Sequence, residues 1–285
     1  GVTSMGMLSI NTNVGALKAA DAAHSVNKSM EQSMERLSTG KRINGAIDDA
    51  AGLQISQRQE AEIRGFHQAA RNAADAQALL ATAEGSMGEI HNILQRLREL
   101  AVQAATGTSS DADRDALDSE AQALEAEISR IAKDTTWAGL QIINGTYKAG
   151  NGGITFHVGP DGTDSITHQI PDFQHDQASS DPAFVNGDLQ SRANANTYIG
   201  VIDGCISKVG TEREQIGAVM NRLDYTMANL SNMATNLSLA KGRIEDADFA
   251  AESANLARTQ VLQQASMSML AQANASKQNI LALFQ

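Results

Sequence analysis

The stretch that decides the fold reads IGVIDGCISKVGTEREQIGAVMNRLDYTMANLSNMATNL and runs from residue 199 to residue 237. Starting at Ile199, steps of three and four residues alternate as far as Leu237 and meet an apolar residue at every position except Arg213. A repeat of 3.5 residues is typical of a helix that packs against another helix along a narrow apolar seam. A continuous helix over this stretch measures about 58 Å at 1.5 Å per residue.

Two further seams with the same repeat lie earlier in the chain. The first comprises Ala76, Leu80, Ala83, Met87, Ile90, Leu94, Leu97, Ala101 and Ala104, and the second comprises Leu117, Ala121, Leu124, Ile128 and Ile131. The polar stretch 106–111 separates them, and either Ser110 or Asp111 is suited to cap the helix that follows. Three such seams predict a mainly α fold, an elongated antiparallel helical bundle or coiled coil.

The region between these helices has a different composition and predicts a small β-rich insert. Residues 140–147 contain Asn144-Gly145, a pair that favours the type I′ turn of a β-hairpin. Residues 154–158 alternate like a strand, residues 159–162 form a turn, and residues 165–170 are suited to a further strand. All three prolines lie between residues 160 and 182, so both flanks permit long helices.

Composition excludes several classes of protein. The formal net charge of −11 opposes nucleic-acid binding, which needs a basic face. A single cysteine, Cys205, excludes an intrachain disulfide and a zinc site built from cysteines. No apolar run approaches the roughly 18 residues of a membrane span, and no signal peptide opens the sequence, so we expect no membrane insertion.

No group of residues predicts a catalytic, metal or cofactor site. His24, His67 and His91 stand alone in helical stretches, and the insert histidines at 157, 168 and 175 lack a known ligand spacing. No His-Glu-x-x-His motif occurs, and Gly150-Asn-Gly-Gly153 lacks the Lys-Ser/Thr of a phosphate-binding loop. We therefore expect no enzyme activity and no cofactor.

Both ends of the chain are apolar on more than one helix face, which is typical of a helix buried on several sides. Two interpretations fit: other copies of the chain cover both ends, or the ends are ordinary amphipathic helices that close an intramolecular bundle. Under the first interpretation the candidate assembly residues are Leu8, Ile10, Val14, Leu17, Leu262, Leu270, Ile280, Leu281, Leu283 and Phe284.

Motifs at both ends resemble those of bacterial flagellins. The amino-terminal motifs are Leu8-Ser-Ile-Asn-Thr-Asn13, Leu37-Ser-Thr-Gly-Lys-Arg-Ile43 and Asp48-Asp-Ala-Ala-Gly-Leu53. The carboxy-terminal motifs are Arg243-Ile-Glu-Asp-Ala-Asp248, Leu270-Ala-Gln-Ala-Asn274 and Gln278-Asn-Ile-Leu281. The resemblance covers about 1–145 and 195–285, which is nearly all of the chain except the insert.

The resemblance implies a structural subunit that polymerises helically into the flagellar filament. It implies export of the unfolded chain through the flagellar type III channel, secretion without a cleaved signal peptide and an extracellular location in the filament. The implied division is 1–46 and 241–285 for the inner filament-core domain, 47–145 and 196–240 for the helical rod domain, and 146–195 for a short variable surface insert. The implied partners are further copies of the chain, an export chaperone bound through about 245–285, the filament cap and the hook-junction proteins.

One segment is similar to the part of flagellins that Toll-like receptor 5 recognises. The seam leaves Arg96 and Leu100 one turn apart on its flank, within residues 95–103. Glu120 falls at the third main contact position of the family when residues are counted without gaps. The resemblance therefore implies that Arg96, Leu100 and Glu120 contact this receptor, and that the same face packs against a neighbouring subunit in the filament.

Two other functions are consistent with parts of the sequence. A hook–filament junction protein has related ends, but its usual greater length and divergent amino-terminal motif oppose that interpretation. A polysaccharide-binding relative would need aromatic side chains in the insert for stacking on sugars. Those available there are Tyr147, Phe156, Phe173 and Phe184.

Overall fold

The computed structural model describes residues 13–173 and 187–282. Five helices account for most of them, and the prediction of a mainly α fold with a small β-rich insert is confirmed, since the chain is 76% helical. The helices are α1 (Val14–Thr39), α2 (Ala50–Ala105), α3 (Asp111–Asp134), α4 (Arg192–Glu245) and α5 (Phe249–Ala282). Two compact units result, one formed by residues 1–61 and 236–285 (unit 1) and the other by residues 62–235 (unit 2).

Unit 2 is built around α2, α3 and α4, whose apolar seams meet in one buried core. Contacts between Arg96 and Glu120 and between Ser86 and Thr135 show that α3 runs antiparallel to α2. Arg213, the one charged residue in the α4 seam, lies where α4 pairs with α2. Its Nη2 is 2.6 Å from Oε1 of Glu84, so this exception forms a half-exposed ion pair between the two helices, and the neighbouring Glu212 is a buried charged residue of α4.

The turn from α2 into α3 follows the sequence prediction. Ser110 is the N-cap of α3, and its hydroxyl accepts a hydrogen bond from the backbone N–H of Asp113 at 3.2 Å. The carboxylate of Asp113 accepts the N–H of Ser110 in return, which completes a capping box. The hydroxyl and backbone N–H of Ser110 lower the pKa of Asp113, so the cap holds this carboxyl in its charged form.

The predicted hairpin around Asn144-Gly145 is wrong. The hairpin pairs β1 (Thr136–Trp137) with β2 (Leu140–Gln141), and its turn consists of Ala138 and Gly139 at φ values of 49° and 83°. Gly145 does adopt a positive φ of 80°, but the side chain of Asn144 accepts the N–H of Thr146 and makes a local side-chain turn instead.

The predicted strands of the insert are confirmed with shorter bounds. β3 (Ile154–His157) pairs antiparallel with β4 (Ser165–His168), and Phe156 lies opposite Ile166. Alternate residues point into the core, as the period of two requires. This hairpin is tied to α2, where the side-chain amide of Asn72 donates to the carbonyl of His157 at 3.1 Å.

Candidate assembly surfaces and internal anchors

α5 turns its polar side chains towards α1. The residues of α5 that are withdrawn from solvent follow a strict repeat of four and three, and they are Glu252, Leu256, Thr259, Gln263, Ser266, Leu270 and Ala273. Five of these seven carry polar groups or only a methyl group. Three contacts set an antiparallel register with α1: Arg36 to Glu252 at 3.7 Å, Asn27 to Gln263 at 2.8 Å and Asn13 to the carbonyl of Ala273 at 3.2 Å.

α1 meets this seam with a mixture of small and apolar side chains. Its inward positions are Ala16, Ala19, Ala23, Val26, Met30, Ser33 and Leu37, again in steps of three and four. Ala23 and Ser33 are the buried residues of α1. The α1–α5 pair therefore joins small and apolar side chains of α1 to a largely polar seam of α5, and other apolar side chains of both helices lie outside the seam.

Those larger side chains point outward. Val261, Leu262, Met267 and Met269 of α5 are 66%, 45%, 56% and 66% exposed, and together they form what we name the α5 outer face. Val14, Leu17 and Met34 of α1 are also exposed. Of the apolar side chains described on α5, more lie away from α1 than against it, so α5 lacks the single apolar side of an ordinary amphipathic helix.

The candidate assembly residues chosen from the sequence therefore divide into four groups. Val14, Leu17 and Leu262 are exposed, whereas Leu270 is half-buried in the seam against α1. Ile280 and Leu281 lie in the last turn of α5. The remaining four lie outside the described residues, and they are Leu8, Ile10, Leu283 and Phe284.

Two of the motifs that resemble flagellins meet in unit 1, where residues 40–42 lie against residues 244–247. Backbone hydrogen bonds join Arg42 N–H to Glu245 O at 2.7 Å and Ala247 N–H to Gly40 O at 2.9 Å. Gly40 ends α1 at a φ of 71°, a left-handed conformation that favours glycine. The connection after α1 is thereby fastened to the connection before α5.

A chain of ion pairs, which we name the junction network, reinforces this contact. Lys41 Nζ lies 2.5 Å from Oε1 of Glu245, and Lys241 Nζ bridges Glu245 at 3.5 Å and Glu60 at 2.7 Å. Burial alone would raise the pKa of the Glu245 carboxyl, but the hydrogen bond from Lys41 and the charge of Lys241 outweigh it, so the pKa falls. The hydrogen bond to Glu60 raises the pKa of Lys241. Sequence reasoning did not find this network.

The buried face of α3 differs from the seam predicted for it. The buried residues follow a four-three repeat through Arg114, Asp118, Ala121, Glu125, Ile128 and Ala132. The predicted residues Leu117, Leu124 and Ile131 are only partly buried against the core. Ala121 and Ile128 of the predicted seam are buried, but charged residues occupy half of the buried positions, so the search for apolar repeats chose neighbouring residues elsewhere.

Each of these charged residues holds a segment of backbone. The Arg114 guanidinium donates to the carbonyls of Ala104 at 3.0 Å and Thr106 at 3.2 Å, so it satisfies the carbonyl end of α2. The Asp118 carboxylate accepts the backbone N–H of Leu189 at 2.9 Å, and Leu189 is fully buried. The chain that returns from the insert is therefore held on α3.

Glu125 joins three elements in the same way. Its Oε1 accepts the N–H of Gly187 at 3.3 Å and the hydroxyl hydrogen of Tyr198 in α4. Burial raises the pKa of the Tyr198 hydroxyl, and the neighbouring Glu125 carboxylate raises it further, so the phenol stays a donor. A Cβ at Gly187 would lie about 2.1 Å from the Tyr198 ring, so only glycine fits there. We name Asp118 and Glu125 with these partners the α3 clamp.

The structure brings together two of the three residues proposed for receptor contact. Arg96 Nη2 and Nε lie 2.8 Å and 3.1 Å from Oε1 of Glu120, and Arg96 Nη1 lies 3.0 Å from Glu99. Both side chains of the interhelical pair are about half exposed. The Glu120 carboxylate and then Glu99 raise the pKa of Arg96.

Leu100 does not lie on the flank where the sequence placed it. Its side chain is 1% exposed and belongs to the core of unit 2. Where the sequence placed Leu100, the flank of α2 next to Arg96 instead carries a shallow depression of about 350 Å³. It is lined by Gln95, Arg98, Glu99, Val102 and Gln103.

Several side chains of the insert contribute to the core of unit 2. His168 is buried, and its Nε2 lies 2.9 Å from Oε1 of Glu212 on α4. Phe156 and Phe173, considered above for stacking on sugars, are buried, and Tyr147 is half-buried. Phe184 and His175 lie outside the described residues. Among residues 13–173 and 187–282 no cluster of three potential metal ligands occurs, and no helix is long and apolar enough to cross a membrane.

Comparison with known proteins identifies the class of this helical chain. The model of the bacterial flagellin N-terminal helical region matches residues 10–148, and that of the C-terminal helical region matches residues 199–284. The chain belongs to the flagellin family.

Individual relatives agree with this assignment. The flagellin of Bacillus subtilis (strain 168) is 37% identical over 304 residues, with 97% of this chain and 99% of that protein covered. The flagellin of Halalkalibacterium halodurans is 40% identical over 278 residues with the same coverage. A flagellar hook-associated protein from Vibrio parahaemolyticus has a TM-score of 0.57 at 16% identity, covering 70% of this chain and 100% of that one, which shows a shared fold alone.

Proposed function

We propose that this chain, a structural subunit of the bacterial flagellar filament, polymerises through the α5 outer face and the exposed apolar residues of α1. The observation that carries the proposal is that α5 has no single apolar side: polar groups such as Gln263 lie against α1, whereas Val261, Met267 and Met269 are directed to solvent. The apolar side chains of such a helix are removed from water only when something other than α1 covers them. Further copies arranged around a screw axis cover it and extend an open fibre.

The distribution of charge supports the same surface. Residues 1–61 and 236–285 carry ten acidic and ten basic side chains, so unit 1 has a formal net charge of zero. Residues 62–235 carry 23 acidic and 12 basic side chains, so the whole net charge of −11 belongs to unit 2. Copies that meet through unit 1 therefore do not have to overcome a net repulsion at the contact.

The remaining assignments follow from family membership. In this proposal residues 1–46 and 241–285 form the inner filament core, residues 47–145 and 196–240 form the rod, and residues 146–195 form the surface insert. The unfolded subunit passes through the flagellar type III channel and joins an extracellular filament, where it also meets the cap and the hook-junction proteins. The role is structural and not enzymatic.

An export chaperone is a further proposed partner, through residues about 245–285. The exposed apolar side chains of the α5 outer face support this, because a free subunit needs them covered until it leaves the cell. Val261→Lys is expected to weaken chaperone binding in a pull-down, and Val261→Leu is expected to preserve it. Equal binding by both variants would remove the support.

The test of the main proposal is elongation of short filament seeds by purified subunit, followed by pelleting and negative-stain microscopy. We expect the wild-type chain and Val261→Leu to elongate seeds, and Val261→Lys to stay soluble with unchanged helix content. The two variants differ only in whether an apolar or a charged group occupies the α5 outer face. Undiminished elongation by Val261→Lys would show that this face stays exposed in the polymer.

A second proposed role is recognition of the free subunit by Toll-like receptor 5 through Arg96 and Glu120. The supporting observation is that a hydrogen-bonded, half-exposed pair joins α2 and α3 at the positions the resemblance indicated. Leu100, the third residue, would act from the core beneath this pair. We expect Arg96→Ala and Glu120→Ala to reduce signalling in a receptor reporter assay, with Arg98→Ala as a control on the same helix. An Arg98→Ala loss as large as that of Arg96→Ala would refute a specific contact.

A further inference from the structure

The α5 outer face contains two methionines on either side of the seam with α1. Met267 follows the inward residue Ser266, and Met269 precedes the inward residue Leu270. At 3.6 residues per turn these positions place the two thioethers on opposite flanks of the helix. Both side chains are more than half exposed, so each flank presents a sulfur atom to solvent before assembly.

These two are the most exposed methionines of the part of the chain that the structure describes. Met87 is completely buried in the core of unit 2, and Met30, Met220 and Met227 are partly buried. Met34 and Met233 are exposed to a lesser extent, at 45% and 42%. Oxidation of thioethers follows exposure, so among these described methionines an oxidant reaches those of α5 first.

We propose that Met267 and Met269 are oxidation sites, and that their conversion to methionine sulfoxide by a peroxide keeps the free subunit out of the polymer. This inference rests on the proposed function, because it requires that the α5 outer face becomes buried when a second copy adds. A sulfoxide replaces an apolar thioether by a strong hydrogen-bond acceptor, and burying that group without a donor opposes association.

The chemical step is balanced with hydrogen peroxide as the oxidant. A lone pair of the Met Sδ attacks one peroxide oxygen, the O–O bond breaks, and an S–O bond forms. The thioether loses two electrons, and the peroxide is reduced to water once a proton has moved to the departing oxygen. The change is reversible, because methionine sulfoxide reductases of both stereospecificities return the thioether.

Assembly also changes the accessibility of these sulfur atoms. In the free subunit both flanks of α5 are open, whereas in a polymer formed through the α5 outer face they are covered. Filament is therefore expected to resist a dose of peroxide that oxidises free subunit. Oxidation then selects against subunits that have not yet been incorporated.

The experiment uses the full-length chain. Free subunit is treated with hydrogen peroxide, the extent of oxidation at each methionine is measured by peptide mass spectrometry, and elongation of untreated seeds is followed. We expect elongation to fall at least tenfold as Met267 and Met269 become oxidised, and to return after treatment with both sulfoxide reductases. Helix content is expected to stay constant, because both side chains already face solvent.

Two leucine variants separate this from general oxidative damage. Met267→Leu/Met269→Leu conserves volume and apolarity, so it is expected to elongate seeds before and after a peroxide dose that leaves Met34 unoxidised. Met233→Leu replaces an exposed methionine of unit 2 and is expected to remain as sensitive as wild type. If the double variant loses elongation as wild type does, or if inhibition accompanies a loss of helix, the inference is overturned.

The outcomes also distinguish the inference from the proposed function. Failure of the untreated wild-type chain to elongate seeds would refute assembly itself. Normal elongation by a chain that carries both sulfoxides would leave assembly intact and refute only the oxidation site.

Discussion

Shortening the apolar side chains of the α5 outer face should weaken polymerisation without weakening the subunit. In the double variant Val261→Ala/Leu262→Ala, two carbons are lost at a side chain that is 66% exposed and three at one that is 45% exposed. At about 0.8 kcal/mol per buried CH2, and counting only the fraction that is still exposed, each substitution removes about 1 kcal/mol of assembly free energy. The sum of about 2 kcal/mol corresponds to an increase of about 30-fold in the critical concentration.

The assay is sedimentation of seeded polymer over a range of total subunit concentrations, in which the protein left in the supernatant gives the critical concentration. Urea denaturation of the free subunit provides the control, and the variant should match wild type because alanine favours helix and neither side chain is buried. Leu94→Ala, in the buried seam of α2, is the converse control and should destabilise the subunit by about 2–5 kcal/mol.

A critical concentration within twofold of wild type would refute the reasoning. It would mean that the exposed carbons of Val261 and Leu262 remain in contact with water in the filament. A large increase that accompanies an unstable subunit would refute it as well, since the effect would then come from folding.

Three further substitutions and one labelling experiment test other parts of the structure. Glu245→Gln should lower the free energy of unfolding by about 1 kcal/mol at neutral pH. Because the native pKa of Glu245 is lowered, this difference from wild type should shrink as pH falls from the ordinary value of 4.5 through the native pKa. Urea denaturation at several pH values measures it. Glu125→Ala leaves the buried Tyr198 hydroxyl and the partly buried N–H of Gly187 unpaired and should lower the free energy of unfolding by about 2–4 kcal/mol in the same assay. Glu127→Ala removes only a half-exposed ion pair with Arg130 and should lower the free energy of unfolding much less. Ala138→Gly relieves a left-handed backbone in the β1–β2 turn and should stabilise the chain by about 0.5–1 kcal/mol, read as a higher Tm. Cys205, whose pKa burial raises to about 11, should resist a disulfide reagent at pH 8 until the chain is unfolded, and rapid labelling of the native chain would contradict this.

The sequence predicted those elements in which one physical signal acts alone. The α4 seam from Ile199 to Leu237 lies within one continuous helix, because a strict 3.5-residue repeat of apolar side chains has no competing interpretation. The cap at Ser110 was predictable because a short polar turn before a periodic stretch needs an acceptor for the first N–H groups. The mainly α class followed from the same patterns.

The failures arose where tertiary contacts overrode a local preference. Asn144-Gly145 has the residues of a hairpin turn, but Asn144 uses its side chain locally and the strands pair around Ala138 and Gly139 instead. Asp118 and Glu125 were invisible as core positions because their partners, two backbone N–H groups and the Tyr198 hydroxyl, lie far away in the sequence. Apolar periodicity likewise did not reveal which face of α5 meets α1, since that face is mostly polar.

The α3 clamp has a consequence for how the insert can vary in length. Within the insert, the chain is fixed where the N–H of Phe173 donates to the carbonyl of Ile143 at 3.2 Å, and it is fixed again at Gly187 and Leu189. Both points are held by the core of unit 2, so the entropy of closing the chain between them is the main cost of lengthening that segment. Because that cost grows by only about 0.6 kcal/mol for each doubling in length, a longer segment can replace the intervening residues while the helices of unit 2 keep their packing.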